Sequence, residues 1–409
     1  MERIILHCDI NNFYASVECL YHPEIRGKAV AVGGDVEQRH GIILAKNYIA
    51  KKYGIKTGEA LWQAKQKCPE LVIMPPNFER YLEFSRLARN IYNDFSPQVE
   101  SFGLDECWLD LTGTGRSGKA AADEIRERIK FELGVTASVG VSFNKIFAKL
   151  GSDMKKPDAT TVILKFEFEN IVWPLPVEDL LFVGPSTKKK LYRRMIFTIG
   201  DLANSDVREM ERILGKNGRT LWAFANGLDN SPVAENGDVP PIESIGNSTT
   251  TPRDLISDED VKITIMVLAE SVASRMRDAH VKCTTVQISV RDNELSHYER
   301  QKKLGMPVAT ASYIAKTAFE LYKQHHKNGK PIRSLGVRAC GLIPEKSFYQ
   351  LSFFEKDMEQ EEKIERTIDD IRRRFGHFSL QRGIMLTDKQ LSHLNPKADH
   401  TIHPERYYK

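Results

Sequence analysis

The sequence predicts an α+β protein of several domains, on three observations. The element order β-α-β-β-α-β can be read twice along the chain. A stretch of helical periodicity without strand pattern separates the two copies. At 409 residues the chain is longer than one hydrophobic core usually serves, so two to four domains are expected. The repeated order is that of a ferredoxin-like unit. In the first copy a small domain, residues 11–75, is inserted after the first strand.

The elements follow in order. Residues 3–9 form an apolar run read as a buried strand, and Asn11 and Asn12 offer an N-cap for a helix carrying Phe13, Val17 and Leu20. Short strands at 29–32 and 42–45, helices at 47–53 and 59–67, and a strand at 71–74 ended by Pro75-Pro76 make up the insert. A helix at 81–94, strands at 99–103 and 106–112, a helix at 119–132 and a strand at 135–141 finish the first unit. Residues 144–165 continue with a basic helix and a Lys155-Lys156-Pro157-Asp158 turn, and 175–230 are helical by pattern. Asp229–Pro241 has no periodicity and reads as a linker. The second unit begins with a strand near 246–252 and a helix at 259–278 with Val261, Ile265, Leu268, Val272 and Met276 on one stripe. Strands at 283–291 and 296–304, a helix at 309–326 and a strand at 332–343 complete it. A loop, a charged helix at 359–374 and an irregular tail come last.

Composition narrows the function classes. Hydrophobic residues at 41% and charged residues at 28% suit a soluble globular protein. No apolar run approaches the ~20 residues that span a bilayer, and the first residues lack a signal-peptide pattern, so membrane insertion and secretion are disfavoured. The six cysteines include no C-x-x-C pair, which argues against a zinc site or disulfide scaffold and for a reducing cytoplasm. Net charge is only +4, but residues 244–345 hold 15 Lys/Arg against 11 Asp/Glu, so the positive surplus lies there.

Asp9 ends the first strand, and Asp105-Glu106 stands at the junction of two central strands of the same expected sheet. Neighbouring residues on a straight strand face opposite ways. Asp105 and Glu106 share a site only if the chain bends, and Gly103 supplies the bend. Crowded carboxylates repel one another unless cations join them. All-oxygen ligation favours Mg²⁺, and a pair of such ions serves in-line phosphoryl displacement. Taken from spacing alone, ordinary strand-end solvation is the preferred reading of these acids.

Three motifs bear on that choice. Asp9-Ile10-Asn11-Asn12-Phe13-Tyr14-Ala15-Ser16-Val17-Glu18 resembles the first motif of Y-family (translesion) DNA polymerases. Ser101–Thr112, containing Leu104-Asp105-Glu106, is similar to their second, and Gly140–Pro157 to their third. The resemblance runs in the family's order from about residue 3 to 385 and is closest to the bacterial polymerase IV (DinB-like) group.

It implies a right-hand polymerase: a palm of residues 1–10 and 76–165, fingers at 11–75, a helical thumb at 166–230, a linker at 231–243, a little finger at 244–345 and a tail at 346–409. It implies that Asp9, Asp105 and Glu106 are catalytic and, with the Ile10 carbonyl, bind two Mg²⁺ ions. Tyr14 would be the steric gate against a 2′-hydroxyl, with Phe13 beside it. Tyr48, Lys51 and Lys156 would hold the triphosphate of a deoxynucleotide. Lys51 departs from the family's usual Arg and cannot make its bidentate fork. Asp110 also matches a family Asp and is expected to be structural.

For primer-template DNA, Leu180–Leu191 resembles a helix-hairpin-helix in which Gly184, Ser186 and Lys188 would meet a phosphate, with Phe182 in place of the usual first Gly. On the second unit Thr249, Thr251, Ser289, Arg291, Arg300 and Arg338 would line the DNA-facing sheet surface, as would Lys302. Gln350-Leu351-Ser352-Phe353-Phe354 resembles the pentapeptide with which bacterial polymerases dock on the sliding clamp, with Phe353 in place of the usual Leu. A cytoplasmic monomer without membrane contact is expected. A polymerase V-like subunit needing accessory proteins, an inactive DNA-binding adaptor and a nucleotidyl cyclase are the alternatives. The intact carboxylates disfavour the adaptor, and no Gly-Gly-Asp-Glu-Phe-like signature supports the cyclase.

Overall fold

The structure is a computed structural model that describes residues 2–34, 41–238, 241–327, 329–346 and 356–399. The chain divides into two compact units, one with main stretches Met1–Gly34 and Ile42–Val239, the other Pro240–His403. Among the described residues no helix is long and apolar enough to cross a membrane.

The first unit runs β1 (Ile5–Ile10), α1 (Phe13–Tyr21), β2 (Val30–Gly33), β3 (Ile43–Lys46), α2 (Tyr48–Lys52), α3 (Leu61–Lys67), β4 (Val72–Met74), α4 (Phe78–Asn93), β5 (Val99–Ser101), β6 (Glu106–Asp110), α5 (Gly118–Leu133), β7 (Ala137–Ser142), α6 (Lys145–Met154) and β8 (Thr160–Val162). It ends in the short helices α7 (Phe168–Val172), α8 (Pro185–Tyr192), α9 (Ile199–Ala203), α10 (Val207–Leu214) and α11 (Lys216–Ala225).

Its main sheet has the order β5-β6-β1-β7-β8. The first four β-α-β-β-α-β strands take the ferredoxin-like order, with β1 antiparallel to both β6 and β7. Strand β8 was not expected from the sequence; it adds parallel to β7 at the edge. Every residue of β1 is buried, as a central strand covered on both faces requires. Alternation sends Leu6, Cys8 and Ile10 into the core with α4 and α5, and Ile5 towards Trp108 and Ala148 of α6. Gly140 lets α6 lie close on β7: a Cβ there would fall 1.9 Å from the Ala148 carbonyl oxygen. The insert forms its own sheet, β3-β2-β4, over a small core of Ile43, Ala50, Ile55 and Leu61.

Asn12 takes the cap position of α1 in the left-handed region (φ 48°) and makes no side-chain cap bond. The cap thus falls on the expected Asn11-Asn12 pair, at Asn12, but without a side-chain bond. Asn11 is buried and binds elsewhere, donating to Ser138 and accepting from Thr136 and the Asp158 amide. The stretch read as a linker is fastened at its start: Val233 is buried, and the Ala234 amide donates to Glu100.

The second unit comprises β9 (Ser244–Leu255), α12 (Asp258–Asp278), β10 (Val281–Asp292), β11 (His297–Val308), α13 (Ala311–His325), β12 (Ile332–Pro344), α14 (Lys356–Phe375), α15 (Lys389–Ser392) and α16 (Pro396–Asp399). Helix α12 begins with a Ser257/Asp260 capping box and three acidic residues and ends with Arg275 and Arg277, so its charges suit its dipole. The sheet order is β11-β10-β12-β9, wholly antiparallel. The element order of the first unit thus recurs with a different strand arrangement, since the last strand, not the third, lies beside the first. The tail is not irregular as expected. Leu391 is part of the core, and buried Arg277 pairs with Glu365 (2.6 Å) and Asp369 (2.7 Å) of α14.

Candidate active site

Asp9 and Glu106 are direct cross-strand partners on β1 and β6, so their side chains leave the sheet on one face. Asp105 precedes β6 in a tight loop in which Gly103 has φ 97°. The loop is closed by the Phe102 amide bonding to Glu106 O and the Ile10 amide to Asp105 O. The bend required for adjacent acids to share a site is therefore present.

Helix α6, seated against this face, contributes what the sequence reading missed. Lys149 Nζ lies 3.2 Å from Glu106, 3.5 Å from Asp9 and 2.9 Å from Asp153. Lys156 Nζ lies 2.7 Å from Asp9 and 2.9 Å from Asp153. Lys149 and Asp153 both lie in the third motif, but the sequence reading gave them no role, and their i, i+4 spacing reads equally as a solvated helix face. Buried His7 meets Ser152 Oγ (2.9 Å) and comes within 3.4 Å of Glu106 Oε2.

Four carboxyls face two lysines here, and the protonation shifts follow. Asp105 is pushed up to about 7, first by burial and then by the negative charge of Asp9 and Glu106. Asp9 is also raised, because burial outweighs Lys149 and Lys156. Burial works against the charged form of Lys149, yet Glu106, Asp153 and Asp9 together raise it. Lys156 is raised in the same way by Asp9 and Asp153. Burial, then Lys149, lowers His7, so its ring is neutral at physiological pH.

Among the described residues no three His, Cys, Asp or Glu side chains converge into a ready-made metal cage. Lys149 reaches Asp9 and Glu106, and Lys156 reaches Asp9, so two lysines stand among the three expected carboxylates. The donor set still suits a hard divalent cation: it is all oxygen, its acids outnumber its bases, and Glu106 Oε2 is buried without a hydrogen bond.

Tyr14 is half-buried beside these acids, and its hydroxyl is raised by burial and then by Asp105. Phe13 lies in the core, so any role it has is support. Tyr48 shares the electrostatic environment of Lys156 and Asp9. Lys51 is exposed, with Nζ 5.9 Å from the Tyr48 ring centre. Lys46, which the sequence reading passed over, stands near it; burial and the Lys51 charge lower its pKa. Asp110 caps the Thr112 amide and lies 3.7 Å from Arg3, a structural role.

Phe182 takes the left-handed conformation (φ 70°) that a Gly would hold without strain. Gly184 and Ser186 at the start of α8 are exposed, and Lys188 pairs with Glu178 at 2.7 Å.

In the second sheet, register decides which residues share the open face. Arg291, Ser289, Gln287 and Thr285 are paired with Ser334, Gly336, Arg338 and Cys340. Opposite them on β9 stand Thr250, Ser248, Gly246 and Ser244. Ser289, Arg291 and Arg338 are therefore on that face, as expected. Thr249 and Thr251 are not: Thr249 pairs with Leu335, and Thr251 is buried, bonding the Arg253 and Arg333 carbonyls. Arg300 and Lys302 pair with Ile288 and Val286 and so lie on the helix-covered side. Lys302 there binds Glu320 at 2.9 Å. His297, Glu299, Gln301 and Lys303 take the open face of β11 instead. Gln350–Phe354 lie outside the described residues.

The profile of the impB/mucB/samB family matches residues 8–153, and that of its C-terminal domain matches 242–353. A protein of Acetivibrio thermocellus named DNA polymerase IV is 55% identical over 399 residues, 96% of this chain and all of that one. DNA polymerase IV 1 of Bacillus subtilis is 36% identical over 95% of this chain and 94% of its own. A solved Y-family DNA polymerase chimera superposes with a TM-score of 0.73 at 22% identity, covering 83% of this chain and 99% of its own, a likeness of fold.

Proposed function

The chain belongs to the impB/mucB/samB family, the Y-family DNA polymerases, and on that premise we propose that it is a template-directed translesion DNA polymerase. It adds deoxynucleotides to a primer 3′-hydroxyl and releases pyrophosphate, without proofreading. One observation carries the reading: Asp9 and Glu106 are paired on central strands with Asp105 at the bend beside them. The division into palm, fingers, thumb, little finger and tail is our reading of the same membership.

The family implies use of a divalent metal, and we assign two Mg²⁺ ions to Asp9, Asp105, Glu106 and the Ile10 carbonyl. Bound there, such ions lower the pKa of an attacking hydroxyl and neutralise a triphosphate. The protein's own part is positioning. Asp9, Asp105 and Glu106 concentrate negative charge at one end of a rigid sheet. Lys156, Tyr48 and Lys51 supply donors for the leaving phosphates. Tyr14 closes the space where a 2′-hydroxyl would sit. Lys156, ion-paired to Asp9 and Asp153, exchanges these partners for phosphate when nucleotide enters.

For DNA, the start of α8 and the open face of the second sheet offer backbone amides, small polar side chains, Arg291 and Arg338, which suits phosphate contact without base readout. The clamp is assigned to Gln350–Phe354 on sequence alone, and a cytoplasmic monomer is the working form.

Primer extension by the purified chain on undamaged and lesion-bearing templates, with and without Mg²⁺, tests the proposal. Extension by the chain alone is expected, with loss in chelator. Full extension by Asp105→Ala or Glu106→Ala would remove the site assignment; extension only with added proteins would favour the accessory-dependent reading.

A further inference from the structure

The ring of Tyr14 is enclosed in a way the motif does not announce. Tyr81 of α4, fully buried, lies parallel to it with ring centres 4.2 Å apart and planes 9° from parallel. Phe78 stands edge-on to both, 6.1 Å from Tyr14 and 5.9 Å from Tyr81. Phe13 fills a further side at 5.5 Å. Tyr81 is itself anchored: its hydroxyl donates to Glu18 Oε1 at 2.7 Å. Glu18, the last residue of the first motif, is 2% exposed and has no part in the chemistry above. Its other oxygen accepts from Arg80 at 3.3 Å.

We propose that Tyr81, anchored by Glu18, is a positioning residue that backs Tyr14 and sets discrimination between deoxy- and ribonucleotides. This rests on the reading of Tyr14 as the gate. A gate excludes only as strongly as it resists being pushed. A ring restrained by its own torsions gives way by about 30° for a cost equivalent to at most roughly tenfold in selectivity. A ring stacked on a second, buried ring must break that stack as well. The second ring cannot follow, because its hydroxyl is bonded to a buried carboxylate and its edges are closed by Phe78 and Phe13.

The test compares kcat/KM for a dNTP and the matching rNTP on one primer-template, using the full chain and Tyr81→Leu, Tyr81→Met, Tyr81→Phe and Tyr14→Ala. Tyr81→Leu is expected to lower discrimination by about threefold to tenfold, the worth of the lost ring pair. The change should come through a gain in rNTP use, with dNTP kcat/KM kept within about threefold. Tyr81→Phe, which keeps the ring but loses the bond to Glu18, should fall between Tyr81→Leu and the parent. Tyr81→Met, nearer in volume, replaces Tyr81→Leu if that variant does not fold. A folded Leu or Met variant with wild-type discrimination, beside a Tyr14→Ala that loses it, overturns the proposal alone. Unchanged discrimination in Tyr14→Ala overturns the gate reading and the proposal together.

Discussion

Glu106 and Asp9 face each other across the central strands, and Lys149 touches both. Removing either kind of group therefore has a separate signature. Glu106→Ala should lower kcat by on the order of 10³-fold while the Kd for DNA stays within about threefold, since metal-bound charge is worth several kcal/mol to a phosphoryl transfer. Single-turnover kinetics beside an anisotropy titration would show it. Lys149→Met leaves Glu106 without its lysine and Asp9 and Asp153 with Lys156 alone, and breaking such a buried pairing costs about 3 kcal/mol. An unshifted urea midpoint would mean the lysine does not compensate these acids. Lys156→Ala should raise the KM for dNTP by roughly tenfold or more, the worth of one charge-assisted hydrogen bond, with kcat changed less. The acids were legible in the sequence through the first and second motifs, since their spacing alone left strand-end solvation open. Lys149 was not, because a lysine on a basic helix looks solvated until a glycine such as Gly140 lets that helix lie flat on the sheet.

At the scale of elements, α14 is held to α12 by buried charge. Glu365 is 2% exposed, accepts from Arg277 and Arg382, and bonds the Ala311 amide at the head of α13. Glu365→Ala should cost about 3 kcal/mol, because Arg277 stays buried and loses one of its two acidic partners; denaturant unfolding followed in the second unit would show it. Asp260 is held down to about 2, first by Arg253 and then, against burial, by the Ile256 and Ser257 amides. A carboxylate depressed in the folded state stabilises fully above its unfolded pKa near 4, and that contribution is lost as pH falls through 2. Asp260→Asn should therefore flatten the change in melting temperature between pH 5 and 2.5, and a slope equal to that of the parent would argue against the shift. The strands were legible here, but not the phase of the outer two. Strand β9 carries Asn247, Thr249 and Thr251 on the face that also holds Ile245, with Ser248 and Thr250 opposite, so it is polar on both sides. Strand β11 is exposed on both faces only from Glu299 to Lys303, although Leu304 and Val308 further along are buried. Alternation without a hydrophobic face cannot say which side is inward, and so Thr249, Thr251, Arg300 and Lys302 were assigned to the wrong one.

For the molecule as a whole, the order of elements along the chain was readable, and the order of strands in the second sheet was not. Two β-α-β-β-α-β stretches each bury two helices on one face, and either strand order does so with right-handed crossovers. The difference lies in pairings such as Leu335 with Thr249, which no local pattern announces. DNA binding should be largely independent of sequence and weaken steeply with salt. Arg291→Ala together with Arg338→Ala should reduce the slope of log K against log salt by about 0.9 for each phosphate no longer neutralised. An unaltered slope would move the footprint off this face. One packing detail also bears on synthesis. Among the described residues the first unit has its last buried residue at Val233, whereas the second lacks Leu391 until translation has passed β12 by dozens of codons. Domains generally fold as they emerge. The half bearing the carboxylates thus has the core described for it while the other is still awaiting a piece of its own. A premature stop between residues 346 and 391 should leave a folded catalytic half joined to a partner that ribosome-released chains cannot complete.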